Sequence, residues 1–245
     1  MPEIDPIPNK PAAIITINKK RYLIIADYHA GIEIALRSKG VEIASRATNR
    51  RNRLHELLAE YNPDELVILG DLAHGIGKPH GIENEEIATL INSIDRPITL
   101  VKGNHDGKIE DVVDIPVTDS RGKRIDTVGF AHGHTYPSED VLQADLLCIG
   151  HEHPAVRLED TVGGSRMERV WLRGQLNSTG FSETIDDDLT LDGDLVVFPA
   201  FNSLSGSTWI NIEGQEFLSP FLPDGISNNK VYLLDGTLLG QYQKI

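Results

Sequence analysis

Only one cysteine, Cys148, stands among 245 residues. No internal disulfide can form, so packing must hold the core, and a reduced, cytoplasmic setting is expected. Cys148 lies inside the apolar run DLLCIG and reads as a small buried residue. No apolar run approaches the ~20 residues that a membrane span needs. The N-terminus has Pro2, Pro6, Pro8 and Pro11 and no apolar stretch of the signal-peptide kind, so no export signal is expected. Basic residues are scarce: 23 Lys and Arg face 37 Asp and Glu, a net charge of −14. A protein that grips many phosphates usually presents a basic face, so tight non-specific binding to duplex DNA is disfavoured. The one concentrated basic stretch is RATNRRNR (46–53). Its neighbours Ile43, Ala44, Ala47, Leu54, Leu57, Leu58 and Tyr61 repeat with helical period, so its arginines are expected on the solvent side of an amphipathic helix. No internal repeat stands out, and no proline- or serine-rich linker precedes the last third. A single domain over 1–245 is therefore expected.

What is present is an alternation of apolar strands and amphipathic helices. AAIITI and RYLIIAD flank NKK and read as two strands joined by a tight turn. A helix is expected over 41–60. DELVILGD is a further strand, and IENEEIATLINSI has its isoleucines and leucine at helical spacing. PITLVKGNHD, RIDTVGFAHGH and DLLCIGHEHP read as three more strands, and SEDVLQA as a short helix opened by a Ser cap. Residues 154–245 change character: AVRLED, RMERVWLRGQL, DLVVFPAFN and KVYLLDGTLLG look like hairpin strands of a second sheet in the same domain. An α/β sandwich with mixed strand directions follows. ETIDDDLTLDGD (183–194) reads as a solvated acidic loop, with a calcium site the lesser alternative because the EF-hand spacing is missing.

The ends of these strands carry the chemistry. They place Asp27-Tyr28-His29, then Gly70-Asp71 and His74, then Gly103-Asn104-His105-Asp106, then His132-Gly133-His134, then Gly150-His151-Glu152-His153. Seven of the nine histidines fall in these five places, and only His55 and His80 lie outside. Carboxylates and imidazoles are the ligands that first-row divalent metals take. A carboxylate from a central strand can bridge two ions, and two ions about 3.5–4 Å apart clamp an in-line displacement at phosphorus. Each piece alone is common. A short turn explains any one of them, since Gly, Asn and Asp are turn formers. Five in one direction, each closing an apolar strand, are not explained that way.

The set ADYH, LGD, GNHD, AHGH, GHEH, in that order over residues 27–153, resembles the calcineurin-like metallophosphoesterase superfamily. PAFN (199–202) and the GDLAH form of the second motif look most like its SbcD-related archaeal phosphoesterases. The resemblance implies a four-layer αββα sandwich of two mixed sheets. It also implies two divalent ions per chain; manganese best suits such an oxygen- and nitrogen-rich site, with iron, zinc, nickel or cobalt as alternatives. By that resemblance Asp27, His29 and His153 hold the first metal, Asn104, His132 and His151 the second, and Asp71 bridges them. A bridging water or hydroxide would attack phosphorus. His105 would stabilise or protonate the leaving oxygen, and Asp106 would orient it and keep it cationic. Either His132 or His134 can be the fourth-motif ligand; the family pattern favours His132. His74 either touches the phosphate, as in the SbcD-type nucleases, or is a partly exposed loop histidine.

Three functions compete. The first is a metal-dependent phosphodiesterase acting on a nucleotide, a nucleic-acid end or a small diester, with long duplex DNA disfavoured by charge. The second is a phosphomonoesterase, a nucleotide or protein phosphatase, using the same metal pair. The third is a non-catalytic scaffold, which would be expected to lack ligands or His105; here all are present. Oligomeric state is left open.

Overall fold

The computed structural model describes residues 2–160, 163–182 and 191–245. Residues 183–190 of the acidic run, with the loop-or-calcium reading placed on them, lie outside the described residues. Among the described residues the strands form two mixed sheets. The first has six strands in sequence order: β1 (Ile4–Pro6), β2 (Ala13–Ile17), β3 (Lys20–Ala26), β4 (Glu65–Leu69), β5 (Ile98–Val101) and β6 (Val117–Thr118). The β1–β2 and β2–β3 pairs are antiparallel, while β3 to β6 run parallel. Parallel strands are covered on both faces, which is why YLIIA, ELVIL and ITLV are continuous apolar runs.

The second sheet holds β7 (Lys123–Ile125), β8 (Val128–Ala131), β9 (Leu146–Ile149), β10 (Pro154–Glu159), β11 (Ser165–Leu176), β12 (Asp194–Val197), β13 (Thr208–Trp209), β14 (Ile226–Leu233) and β15 (Leu238–Gly240). Its order is β13-β10-β11-β12-β9-β8-β7, with β14 paired to β11 and β15 to β14. Strands β8, β9 and β12 are mutually parallel. The stretch RIDTVGF, read as one strand, is instead the hairpin β7–β8, reversing at Asp126 with φ 54.

Three apolar layers bind these parts. The inter-sheet layer packs Ile15, Ile24, Val67, Leu69 and Val101 of the first sheet against Phe130, Cys148, Trp171, Val196 and Phe198 on the second-sheet side. Burying each such large side chain contributes about 1.5–3 kcal/mol. The outer face of the first sheet is covered by α2 (Ala47–Tyr61) and α3 (Gly81–Asn92) through Leu54, Leu57, Leu58, Ile87 and Leu90. The outer face of the second carries one turn of α-helix, α4 (Glu139–Leu142), a 3-10 turn at Ser178–Phe181 and the 210–222 segment. The sandwich therefore has its fourth layer built chiefly from turns and loops.

Two local expectations are corrected. The helix expected from residue 41 begins at Ala47, and a separate helix α1 (Ile32–Ser38) precedes it. Ser45 Oγ accepts the Ala47 N–H and Glu33 Oε1 the Arg46 N–H, which fixes the start there. The arginines of α2 do not all face solvent either. Arg50 is 3% exposed, and its guanidinium donates to Glu33 of α1 and Glu86 of α3. Buried charge is tolerated only when paired in this way.

Candidate metal centre

The carboxyl ends of β3, β4 and β5 and of β8 and β9 all open at one edge of the sandwich. Ligands usually bind at such strand ends in α/β sheets. The turns just beyond them are bent sharply. Asp27 (φ 56), His29 (φ 49), Asp71 (φ 50), His151 (φ 68) and His153 (φ 44) all lie in the left-handed region. Non-glycine residues enter it at a cost, and such outliers gather at functional sites. The bends break the in-and-out alternation of an extended strand, so residues two apart can aim at one point. Glycines make room for them. At Gly70 a Cβ would collide with the His132 ring, and at Gly103 with the Asp71 carboxylate and backbone nitrogen. This is the physical reason for the GD and GN pairs.

Among the described residues three groups of side chains converge, one of them His29 with His74 and His105, and two contain carboxylates. Asp27, His29 and His153 form one, and Asp71, His132 and His151 the other. Within the first, His153 Nε2 is 3.2 Å from Asp27 Oδ1 and 3.4 Å from His29 Nε2. Within the second, His132 Nε2 is 3.4 Å from Asp71 Oδ1 and 3.1 Å from Asn104 Oδ1. Asp71 lies between the groups, its Oδ2 3.9 Å from His29 Nε2. His132, not His134, sits on the carboxylates; the His134 ring lies 5.2 Å from that of His132, centre to centre.

The outer nitrogens are fixed by carbonyls. His132 Nδ1 donates to Leu69 O (2.8 Å), and His153 Nδ1 donates to Gly206 O (2.9 Å). Each bond sets the tautomer and leaves Nε2 facing inward, as in metal-binding histidines. Burial is nearly complete for Asp27, His29, Asp71 and His132. It raises the Asp71 carboxyl, but the nearby His132, His29 and His105 rings outweigh it and hold that carboxyl far below the usual range. Burial lowers His132, yet Asp71 and Asp27 outweigh it and hold the ring at about 9. His29 is pushed down to about 3 and His151 to about 4, mainly by burial. Among the described residues the ion-pair partners of Asp27 and Asp71 are histidines alone. Two buried carboxylates, inward imidazole nitrogens facing each other and an amide oxygen make a donor set suited to divalent cations.

His105 stands at the open side, with Nε2 3.9 Å from Asp71 Oδ2. Its backbone N–H donates to Asp71 Oδ1 (2.9 Å), and its Nδ1 donates to the His74 carbonyl. The His74 ring stacks on it, centres 5.4 Å apart and planes 15° apart. His74 also meets His29, with Nδ1 atoms 3.4 Å apart. Asp106 was expected to orient His105. Its carboxylate instead accepts the N–H groups of Gly103 (2.9 Å) and Ala73 (3.1 Å), tying the second and third motif turns together. The carbonyl of His74 does the orienting.

Further residues brace the motif turns. Glu152, between the two histidines of the last motif, accepts the Leu218 and Ser219 N–H groups. Asn202, in the PAFN stretch, donates to the carbonyls of Tyr28 and His29. Glu83 of α3 accepts the His74 and Gly75 N–H groups, and Glu86 that of Gly31. A lone Glu on an amphipathic helix gives no signal of this; only the fold puts it behind the motif loops.

The calcineurin-like phosphoesterase model matches residues 20–134. The chain carries a calcineurin-like phosphoesterase domain. Members of this family are metal-dependent hydrolases of phosphoester bonds, and the clusters above are where this chain can bind metal. The fifth motif, with His151 and His153, lies beyond the matched stretch, yet the fold brings it into the same site. No curated protein matches the sequence. Among solved structures the chain is similar to the nuclease MPE of Pseudomonas putida, at 21% identity and a TM-score of 0.55, over 95% of this chain and 98% of that one. It is also matched to YfcE, a phosphoesterase from E. coli, at 18% identity and a TM-score of 0.43, over 89% and 96% of the two chains. The first likeness is one of fold: the phosphoesterase sandwich. No helix among the described residues is long and apolar enough to cross a membrane.

Proposed function

We propose that this phosphoesterase hydrolyses phosphodiesters with two divalent ions, manganese the best match. Asp27, His29 and His153 hold one ion; Asn104, His132 and His151 hold the other; Asp71 bridges them. The whole chain, 1–245, acts as one domain, since both sheets contribute ligands. Bound there, the ions supply Lewis acidity, acidifying water and neutralising the non-bridging phosphate oxygens. The chain's own residues do the rest. The His105 ring, fixed through Nδ1, turns Nε2 outward beside Asp71 and, as an imidazolium, donates to the departing oxygen. His74, stacked on it, reaches the phosphate rather than being a bystander in the loop. Asp106 keeps the Asn104–His105 turn in register with Asp71.

The observation that carries the diester reading is the lining of the cavity over the His29, His105 and His153 side of the site. This cavity, about 340 Å³, is bounded by His29, His74, His105, His153, the 205–208 segment and Gln215–Glu216, with no Lys or Arg and one Glu. A diester brings one negative charge where a monoester brings nearly two. A lining without Lys or Arg suits the former. The same fold carries the Pseudomonas putida nuclease, so it accommodates diester cleavage.

The test sets bis(4-nitrophenyl) phosphate beside 4-nitrophenyl phosphate with manganese-loaded enzyme. Diester turnover that chelator abolishes supports the proposal. Turnover of the monoester alone overturns it in favour of a phosphatase, and no turnover of either despite bound metal points to a scaffold.

A further inference from the structure

The basic stretch of α2 is not used by the chemistry above. Arg50 is neutralised by Glu33 and Glu86. Arg46 and Arg53, one turn before and after it, form no ion pair among the described residues. With Asn49, Asn202 and Ser203 they line a cleft of about 240 Å³. Arg53 lies over the Phe201 ring, 4.8 Å from its centre, and Arg169 flanks it, donating to the Ala200 carbonyl at 2.7 Å. These guanidiniums repel each other in a half-buried place. Burial, then Arg50, lowers Arg53; burial, then Arg53, lowers Arg169. Glu56 and Glu168 attract Arg53 and Arg169 only weakly against this, and among the described residues no carboxylate forms an ion pair with Arg46, Arg53 or Arg169, in a chain of net charge −14. Arg forks and amide groups are the donors that phosphate oxygens take.

The cleft borders the metal centre. Asn202 lines it and also holds the carbonyls of Tyr28 and His29. Ser203 lines it, while Ser205 and Gly206, just further along, line the cavity over the histidines. Three residue steps span at most about 11 Å, a distance that a short single strand can bridge.

The geometry points to this cleft as the binding site for a non-scissile phosphate of a single-stranded nucleic acid whose scissile diester lies over the histidines. The inference rests on the phosphodiesterase reading and names its substrate class. A cleft of this size takes one phosphate at a time. A flexible strand can enter it, whereas a duplex would bring many charges against an acidic surface.

The experiment measures binding of a short fluorescent oligothymidylate by anisotropy, with chelator present, over a series of salt concentrations. Arg46→Glu and Arg53→Gln are each compared with wild type, and melting temperatures report folding. Lys19→Glu is the charge control, because Lys19 precedes β3 and so lies at the end of that strand opposite Asp27. The expected result is about tenfold weaker binding for Arg46→Glu, with a salt slope shallower by about one, and little change for Lys19→Glu. Arg53→Gln weakens binding in the same sense; Arg46, being exposed, is the variant that decides should Arg53→Gln lose its fold. No binding by wild type, or equal weakening by Arg46→Glu and Lys19→Glu, overturns the inference. The wild-type diester assay separates the two claims: turnover without oligonucleotide binding sinks the cleft alone, and arginine-dependent binding without turnover sinks the phosphodiesterase reading alone.

Discussion

His105 shares its turn with a proposed ligand, Asn104, but has a different surrounding. Its ring nitrogen is oriented by a carbonyl and its outer edge is open, whereas the Asn104 oxygen faces His132. A residue that only assists the leaving group can be removed without emptying the site. His105→Ala is therefore expected to lower diester turnover by about 10²-fold or more while metal content, read by elemental analysis, stays at the wild-type level. Loss of metal in step with activity would make His105 a ligand instead. Gly103 sets the opposite case. A methyl there collides with Asp71 on both its carboxylate and its backbone nitrogen, so that carboxylate, the proposed bridge, must shift. Gly103→Ala is expected to lower bound metal and to cost about 1–3 kcal/mol of stability, as overpacking does. Full metal occupancy at wild-type stability would show that the turn yields elsewhere.

Helices α1, α2 and α3 are joined behind the site by one guanidinium. Arg50 Nη2 donates to Glu86 at 2.5 Å and Nη1 to Glu33 at 3.2 Å. Glu86 in turn accepts the N–H of Gly31, two residues after His29. Arg50→Met leaves two buried carboxylates unpaired, and removing one partner of a buried pair costs about 3–5 kcal/mol. Urea denaturation is expected to show a loss of that order, where Arg51, half-buried on α2 and outside this network, would cost about 1 kcal/mol or less when replaced by Met. The same network marks where the sequence stops being legible. The continuous apolar runs of β3, β4, β5 and β9 and their polar ends are local signals, and so the sandwich and the converging motifs could be read from them. Helical periodicity also located α2 and α3. It could not show that Arg50 turns inward, because its partners come from two other helices 17 and 36 residues away in sequence. Helix α1 is short and carries its apolar residues too sparsely to stand out, and the hairpin reversal at Asp126 interrupts a pattern that reads as one strand. Nor does sequence show the partners of Asp106: beside His105 in sequence, it spends both oxygens on backbone groups of two turns.

At the scale of the molecule the proposed metal centre is a joint between the sheets. Asp27, Asp71 and Asn104 follow strands of the first sheet; His132, His151 and His153 follow strands of the second. Ions held by both sets bind the folded chain and not the unfolded one, because the donors come together only when the sheets pack. Such linkage contributes about 4 kcal/mol when free metal exceeds its dissociation constant a thousandfold. For a chain of this length each kcal/mol moves the melting temperature by about 2–4 °C. Chelation is therefore expected to lower it by about 10 °C, and manganese to restore it. The bridging role proposed for Asp71 makes the sharper prediction. Its two oxygens face different groups, Oδ1 toward His132 and Oδ2 toward His29, so Asp71→Ala removes a ligand from both ions at once. That variant is expected to melt at one temperature with or without manganese and to retain neither ion through gel filtration. Two ions per chain retained in Asp71→Ala, with a manganese-dependent melting shift like that of wild type, would refute the bridge and leave the two sheets joined by their apolar layer alone.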